Sequence, residues 1–206
     1  MTDIRSILSL GPVMPVIVID DAADAVPLAE ALLAGGIQAI EVTLRTEAAL
    51  SSIERIAKDV PDMVVGAGTV LDAGQARSVR DAGAVFAVSP GATDPLIAGC
   101  DEAGITLLPG AATASEAMSL LEKGFDIQKF FPAVQAGGAP FLKALSSPLA
   151  GVSFCPTGGI SLASAPDFLS LPNVICVGGS WIATKDNIRD KEWAAITEAA
   201  RHASSL

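Results

Sequence analysis

Six lysines occur in the 206-residue chain, and one of them stands apart. Lys129 lies inside an apolar run, two residues after Ile127 and directly before Phe130 and Phe131. Lys58, Lys123, Lys143, Lys185 and Lys191 fall in segments patterned as helix or loop, where the stem covers apolar surface and the ammonium stays in water. Strand alternation puts Ile127, Lys129 and Phe131 on one face. If that face is an interior, low polarity disfavours the charged form of an amine. A free amine facing a pocket can attack a ketone and form a Schiff base. The plainer alternative is a strand-edge lysine that reaches solvent, set against the rarity of buried, unpaired lysine.

A second constellation is Glu41-Val-Thr43-Leu-Arg45, whose polar residues share a parity and would face one way. Glu and Arg at this spacing could be a structural ion pair and nothing more. Chemically, the Arg fork suits a carboxylate and Glu can move protons. His202 is the only histidine, so histidine zinc sites and Ser-His-Asp chemistry are poor candidates, and neither metal nor cofactor is expected. A third constellation is Gly158-Gly159 after Thr157, with Gly178-Gly179 before Ser180. Glycines let backbone N–H groups approach an anion, and a helix start favours negative charge. One such pair is usually a turn; two with hydroxyl neighbours mark a candidate phosphate corner.

The elements that would position these residues follow from periodicity. Short apolar runs recur at 13–19, 37–44, 63–70, 84–89, 105–109, 126–131, 152–157 and 174–179. They are continuous rather than alternating, as parallel strands covered on both faces should be. Between them lie amphipathic helical patterns, such as 47–58 with Leu50, Ile53, Ile56 and Ala57 on one face. Gly35-Gly36, Gly83, Gly104 and Gly124 mark helix ends, and Asp72, Thr93, Thr113 and Ser161 mark starts. Thr113 and Glu116 have capping-box spacing. A faint repeat relates residues 82–93 to 103–113, one βα unit apart. The pattern predicts an α/β fold, a single (β/α)8 TIM barrel spanning residues 1–206 with a short N-terminal helix. An open doubly wound sheet is the rival, but Ile19-Asp20-Asp21 stands where a Gly-rich fingerprint would follow the first strand. In such a barrel the C-terminal strand ends build the site, and all three constellations fall there, beside Gly66-Ala-Gly68-Thr69 and Ser89-Pro90-Gly91.

Composition narrows the setting. Half of the residues are hydrophobic, which excludes a disordered chain. Thirteen basic against 23 acidic residues give a net charge of −10, which argues against nucleic acid as a partner. Cys100, Cys155 and Cys176 form no C-x-x-C and read as buried free thiols in a reducing cytosol. The longest uncharged stretch, 144–166, carries Pro148, Pro156 and Pro166, so no lipid-facing helix is expected. The early apolar run is broken by Pro12 and Pro15 and reads as a strand rather than a signal peptide. The expectation is a soluble cytoplasmic protein.

Taken as a set, Glu41-Val-Thr-Leu-Arg45, Val65-Gly-Ala-Gly-Thr-Val-Leu71, Ser89-Pro-Gly91, Lys129-Phe-Phe-Pro-Ala133, Cys155-Pro-Thr-Gly-Gly-Ile160 and Gly178-Gly-Ser-Trp181 resemble the KDPG aldolases. These are class I aldolases that cleave 2-keto-3-deoxy-6-phosphogluconate in the Entner–Doudoroff pathway. The match runs in order along nearly the whole chain. The resemblance implies Lys129 as the Schiff-base lysine and Glu41 as the general acid/base, acting through a water. It implies that Arg45 and Thr69 bind the carboxylate of pyruvate, that Pro90 and Phe131 line the pocket, and that Thr157, Gly158, Gly159 and Ser180 bind the phosphate. It further implies a homotrimer acting on a small anionic 2-keto acid sugar phosphate, with cleavage of 4-hydroxy-2-oxoglutarate as a side activity. The alternatives are an aldolase for the galactonate isomer or for unphosphorylated hydroxy-oxoglutarate, and a phosphosugar isomerase or epimerase barrel. A non-catalytic phosphosugar-binding barrel is a further alternative. The isomerase would use the phosphate corner but need no imine lysine.

Overall fold

The computed structural model describes residues 3–206. All its strands except β6, which lies just past the fifth run, fall inside the apolar runs: β1 (Val13–Ile17), β2 (Ala39–Thr43), β3 (Val64–Gly68), β4 (Phe86–Val88), β5 (Thr106–Leu108), β6 (Gly110–Ala111), β7 (Ile127–Phe130), β8 (Ser153–Pro156) and β9 (Val177–Gly179). The helices are α1 (Ile4–Leu8), α2 (Ala25–Ala34), α3 (Ala49–Asp59), α4 (Ala73–Asp81), α5 (Asp94–Ala103), α6 (Ala114–Glu122), α7 (Gly138–Leu145), α8 (Ala165–Leu169), α9 (Lys185–Arg189) and α10 (Trp193–Ser204). None of these described helices is long and apolar enough to cross a membrane.

Every strand pairing is parallel, in the orders β5-β4-β3-β2-β1-β9 and β6-β7-β8. This is an α/β fold with its parallel strands curled into a half-barrel, rather than one unbroken eight-stranded ladder. The first interruption has a chemical cause. Pro109, the last residue of the fifth run, has no N–H to donate, and the extended segment around it is split in two. Its first part, β5, pairs with β4, and its second part, β6, pairs with β7. Single bonds flank the split: Ser89 N–H donates to Leu108 O at 3.2 Å, and Lys129 N–H to Pro109 O at 2.8 Å. At the other flank, β8 meets the last run through isolated bridges only, Phe154 with Val174 and Thr157 with Gly178.

Alternation sorts the strand side chains into two cores. Met14, Phe86, Leu108, Ile127, Cys155 and Cys176 form an inner cluster, into which α1 inserts Ile7 and Leu8. Asp3 caps that short helix by accepting from the Arg5 and Ser6 amides. The alternate residues, among them Ala87, Phe130, Phe154 and Val177, join the larger cluster between strands and helices. Phe130 stacks on Phe141 of α7 at 5.4 Å between centroids. Lys129 therefore takes the inner parity of Ile127, and its neighbour Phe130 the outer one.

The helix punctuation is mostly as expected. Asp72, Thr93 and Thr113 cap α4, α5 and α6, and the Thr113–Glu116 capping box is complete. The faint repeat corresponds to β4–α5 and β5/β6–α6, each unit reaching its helix through a capping threonine. Two expectations need correction. Ser161 opens a turn in which its hydroxyl and that of Ser164 cross-bond with each other's amides, and α8 begins only at Ala165. Leu50 is 39 % exposed, because the buried stripe of α3 runs through Ala49, Ser52, Ile53 and Ile56, one residue out of phase with it.

Candidate active site

Glu41 is central in β2, in register with Val16 of β1 and Gly66 of β3. Lys129 is central in β7, in register with Gly110 of β6 and Cys155 of β8. The two strands belong to different sheets, and their side chains meet in the interior. Lys129 Nζ lies 3.2 Å from Glu41 Oε1 and 3.4 Å from Oε2. The side chains are 5 % and 4 % exposed. Two charges at this depth are tolerable because each compensates the other; leaving either one unpaired costs about 3–5 kcal/mol. The Phe131 ring stands 5.5 Å from the amine, within cation–π range.

A structural Glu41–Arg45 ion pair is not formed. Glu41 takes Lys129, and Thr43 between them is buried, donating its hydroxyl to Ile17 O at 2.9 Å. Arg45 is exposed at the rim, where its Nε donates to Thr69 Oγ1 at 3.3 Å. Thr69 stands at φ +61°, a left-handed conformation that costs a non-glycine residue about 1–2 kcal/mol. Pro90 and Phe131 are half-buried at the ends of their strands.

The two Gly-Gly corners are neighbours, since Thr157 bridges to Gly178. Thr157 is buried, and Gly159 and Ser180 are exposed. Gly158 and Gly159 are both left-handed, at φ +108° and +75°. The Thr157 and Gly158 carbonyls accept from Ala133 and Val134, at 2.8 and 3.1 Å. The Gly158 and Gly159 amides donate to none of the described hydrogen bonds. Successive backbone amides with no internal acceptor form an anion-binding concavity. The helix start expected there is replaced by the Ser161–Ser164 turn.

Two features were missed in the sequence. The first is Gly68, in register with Thr43: a methyl there would lie 2.0 Å from Glu41 Oε1. Its signal was the pair of small residues, Gly66 and Gly68, sharing the parity of an interior position. The second is that Cys155 and Cys176, distant in sequence, sit with Sγ atoms 3.5 Å apart in the inner cluster. Their hydrogen bond, then burial and the nearby Glu41 charge, hold the Cys176 thiol well above the ordinary range. Burial, helped by Asp101, also raises Cys100, to about 11.

The sequence model of the family described as "Aldolase: KDPG and KHG aldolase" matches residues 4–199. The chain is 50 % identical to a 2-dehydro-3-deoxy-phosphogluconate aldolase of Pseudoalteromonas atlantica, covering 97 % of this chain and 93 % of that one. It is 49 % identical to the KHG/KDPG aldolase of Escherichia coli K12, over 98 % of this chain and 95 % of that one. Among solved structures, a KDPG aldolase from Legionella pneumophila superposes with a TM-score of 0.96 at 48 % identity, covering 98 % of both chains. In that crystal structure pyruvate is captured as a covalent carbinolamine intermediate.

Proposed function

The chain belongs to the KDPG and KHG aldolase family, and we propose that it is a class I aldolase reversibly cleaving 2-keto-3-deoxy-6-phosphogluconate to pyruvate and glyceraldehyde 3-phosphate. The observation that carries this reading is the buried Lys129–Glu41 pair, an amine and a carboxylate in hydrogen-bond contact. The amine is the nucleophile and the carboxylate the proton carrier.

Lys129 passes a proton to Glu41, the freed Nζ lone pair attacks C2 of the keto acid, and Glu41 gives that proton to the departing hydroxyl as the carbinolamine loses water to leave a protonated imine. A carbinolamine is the species captured with pyruvate in the Legionella relative. The iminium is an electron sink. The C4 hydroxyl gives its proton to Glu41, the C3–C4 bond breaks, and its electron pair moves toward nitrogen to form an enamine. Glyceraldehyde 3-phosphate leaves. Glu41 returns the proton to C3, and water hydrolyses the pyruvate imine, which frees the amine of Lys129. Arg45 and Thr69, already bonded to each other, hold the substrate carboxylate. Pro90 and Phe131 wall the pocket. The Gly158 and Gly159 amides with the Thr157 and Ser180 hydroxyls take the phosphate.

Residues 1–206 act as one domain in this reading. The strands close as a complete (β/α)8 barrel, supported by the bonds that flank Pro109 and by the two isolated bridges between the last two runs. The enzyme works as a cytoplasmic homotrimer and also cleaves 4-hydroxy-2-oxoglutarate to pyruvate and glyoxylate. The KHG/KDPG name of the Escherichia coli relative supports the second activity. Borohydride with pyruvate, followed by peptide mapping, is expected to add mass at Lys129 and nowhere else; no adduct there would remove the nucleophile. Comparing kcat/KM for the gluconate-series, galactonate-series and unphosphorylated substrates fixes specificity, with the gluconate series expected highest.

A further inference from the structure

Gly68 bears no chemical group, yet its place in the fold is tied to one. An ideal Cβ on it would lie 2.0 Å from Glu41 Oε1, 2.6 Å from Cγ and 2.7 Å from Cδ. All three atoms belong to the carboxylate arm that reaches Lys129. The Glu41 side chain therefore lies across the Gly68 backbone on its way to the amine. We propose that Gly68 is a positioning residue, whose missing side chain leaves the channel through which Glu41 reaches Lys129. This rests on the assignment of Glu41 as proton carrier.

Which partner would give way follows from the ladder. Gly68 is in register with Thr43 on one side and with Val88 on the other. Its carbonyl also accepts from Leu44 N–H at 2.8 Å. The β3 backbone is thus held from both sides, while Glu41 can rotate about its own bonds. Gly68 does not stand at positive φ, so alanine meets no backbone strain there. An added methyl acts through the Glu41 carboxylate and turns it off the amine. Gly66 is the contrasting neighbour: the nearest atoms a Cβ there would meet are those of the Phe86 ring, at 2.2 Å, a packing clash in the inner core.

The test is a double-mutant cycle between Gly68→Ala and Glu41→Ala. Gly68→Ala is expected to lower kcat by about 10–100-fold, part of the ~10²–10⁴ that a positioned acid–base group supplies. KM should change less than about threefold, because the residue acts on proton transfer rather than on binding. Pyruvate with borohydride should still label Lys129. In the Glu41→Ala background, where the arm is gone, adding Gly68→Ala should cost less than about twofold. A full additive loss in that background overturns the proposal, as does an unaffected kcat in the single variant. If Gly68→Ala fails to fold, recovery of folding in the double variant supports the proposal, and failure of both overturns it. Should Glu41→Ala itself leave kcat unchanged, the role of Glu41 falls first, and the inference about Gly68 falls with it.

Discussion

The two ends of the site use opposite means. At the reaction end, Lys129 and Glu41 are side chains of central strand positions, charged, nearly inaccessible and dependent on each other. At the proposed phosphate end, Gly158, Gly159 and Ser180 lie at strand ends, uncharged and at least partly open to solvent, and most of the groups offered to an anion are backbone N–H. Burial is useful where a nucleophile must shed its hydration and a proton must move along one path. It would be a burden where a doubly charged group must enter and leave. The division also removes a puzzle of composition. A chain of net charge −10 can take an anionic substrate if the phosphate meets amides rather than competing surface charges.

The largest expected effects lie at the buried end. Lys129→Met removes the proposed nucleophile and should lower kcat by at least about 10⁴-fold, the scale on which losing a covalent residue acts. It also strands Glu41 in the interior, so urea denaturation should show a loss of about 3–5 kcal/mol. Lys129→Met with Glu41→Gln should recover much of that stability and none of the activity. If the single variant is as stable as the parent protein, the pair is not the closed, mutually compensating unit inferred from its geometry.

Glu41→Gln comes next. It keeps the shape of the arm and removes its ability to carry a proton. Turnover should fall by about 10²–10⁴-fold. Borohydride trapping of pyruvate at Lys129 should persist, more slowly, because imine formation does not depend on the C4 hydroxyl. Loss of trapping together with turnover would mean that Glu41 holds the lysine in place rather than moving protons.

At the open end the effects should be smaller and confined to binding. Gly159 stands at φ +75°, so alanine there is strained by about 1–2 kcal/mol, and its methyl would approach Val134 at 3.0 Å. Gly159→Ala should raise KM for the phosphorylated substrate about 10-fold, on the scale of that strain, and leave kcat nearly unchanged. With 4-hydroxy-2-oxoglutarate, which has no phosphate, it should do little. Equal effects on both substrates would place the Gly-Gly corner in general pocket shape rather than phosphate binding.

The contrast also explains what could be read from the sequence. Lys129 was legible because a charge within an apolar run is conspicuous, and the alternation with Ile127 fixed its face. Every strand but β6 lies within an apolar run, since burial on both faces leaves few polar interruptions to hide it. The partner of Glu41 was not legible from spacing, and only the family resemblance set Glu41 to work with Lys129. Arg45 is four residues away, Lys129 is 88, and only closure of the strands brings the distant one nearer. The interruption at Pro109 was missed because the proline reads as the end of the run, although a strand resumes directly beyond it as β6. Ser161 was misplaced because a serine that caps a turn and one that caps a helix use the same side-chain bond. Gly68 was overlooked because a residue with no side chain shows its role only through what lies over it.

Burial alone does not make a nucleophile, and the thiols offer the smallest but most discriminating check of that point. Cys100, Cys155 and Cys176 are as buried as Lys129. The hydrogen bond with Cys155 and burial, with the Glu41 carboxylate adding to them, hold the Cys176 thiol well above the ordinary range, and burial raises the Cys100 thiol. At pH 7.5, iodoacetamide should therefore leave both mass and activity unchanged, while in urea all three cysteines should be alkylated. Fast inactivation of the folded enzyme would show a thiol taking part at the reaction end. The alkaline limb gives the same contrast a sign. The Cys100 thiol lies at about 11 in the folded protein, against an ordinary value of 9.0. The unfolded chain therefore releases this proton first as pH rises. The stability tied to the protonated thiol is complete below pH 9 and is lost between 9 and about 11. Over that window Tm should fall more steeply for the parent protein than for Cys100→Ala, while kcat at neutral pH is the same in both. Equal slopes would mean that the thiol is not held protonated by the fold, and the line drawn between buried groups that act and buried groups that only pack would have to be moved.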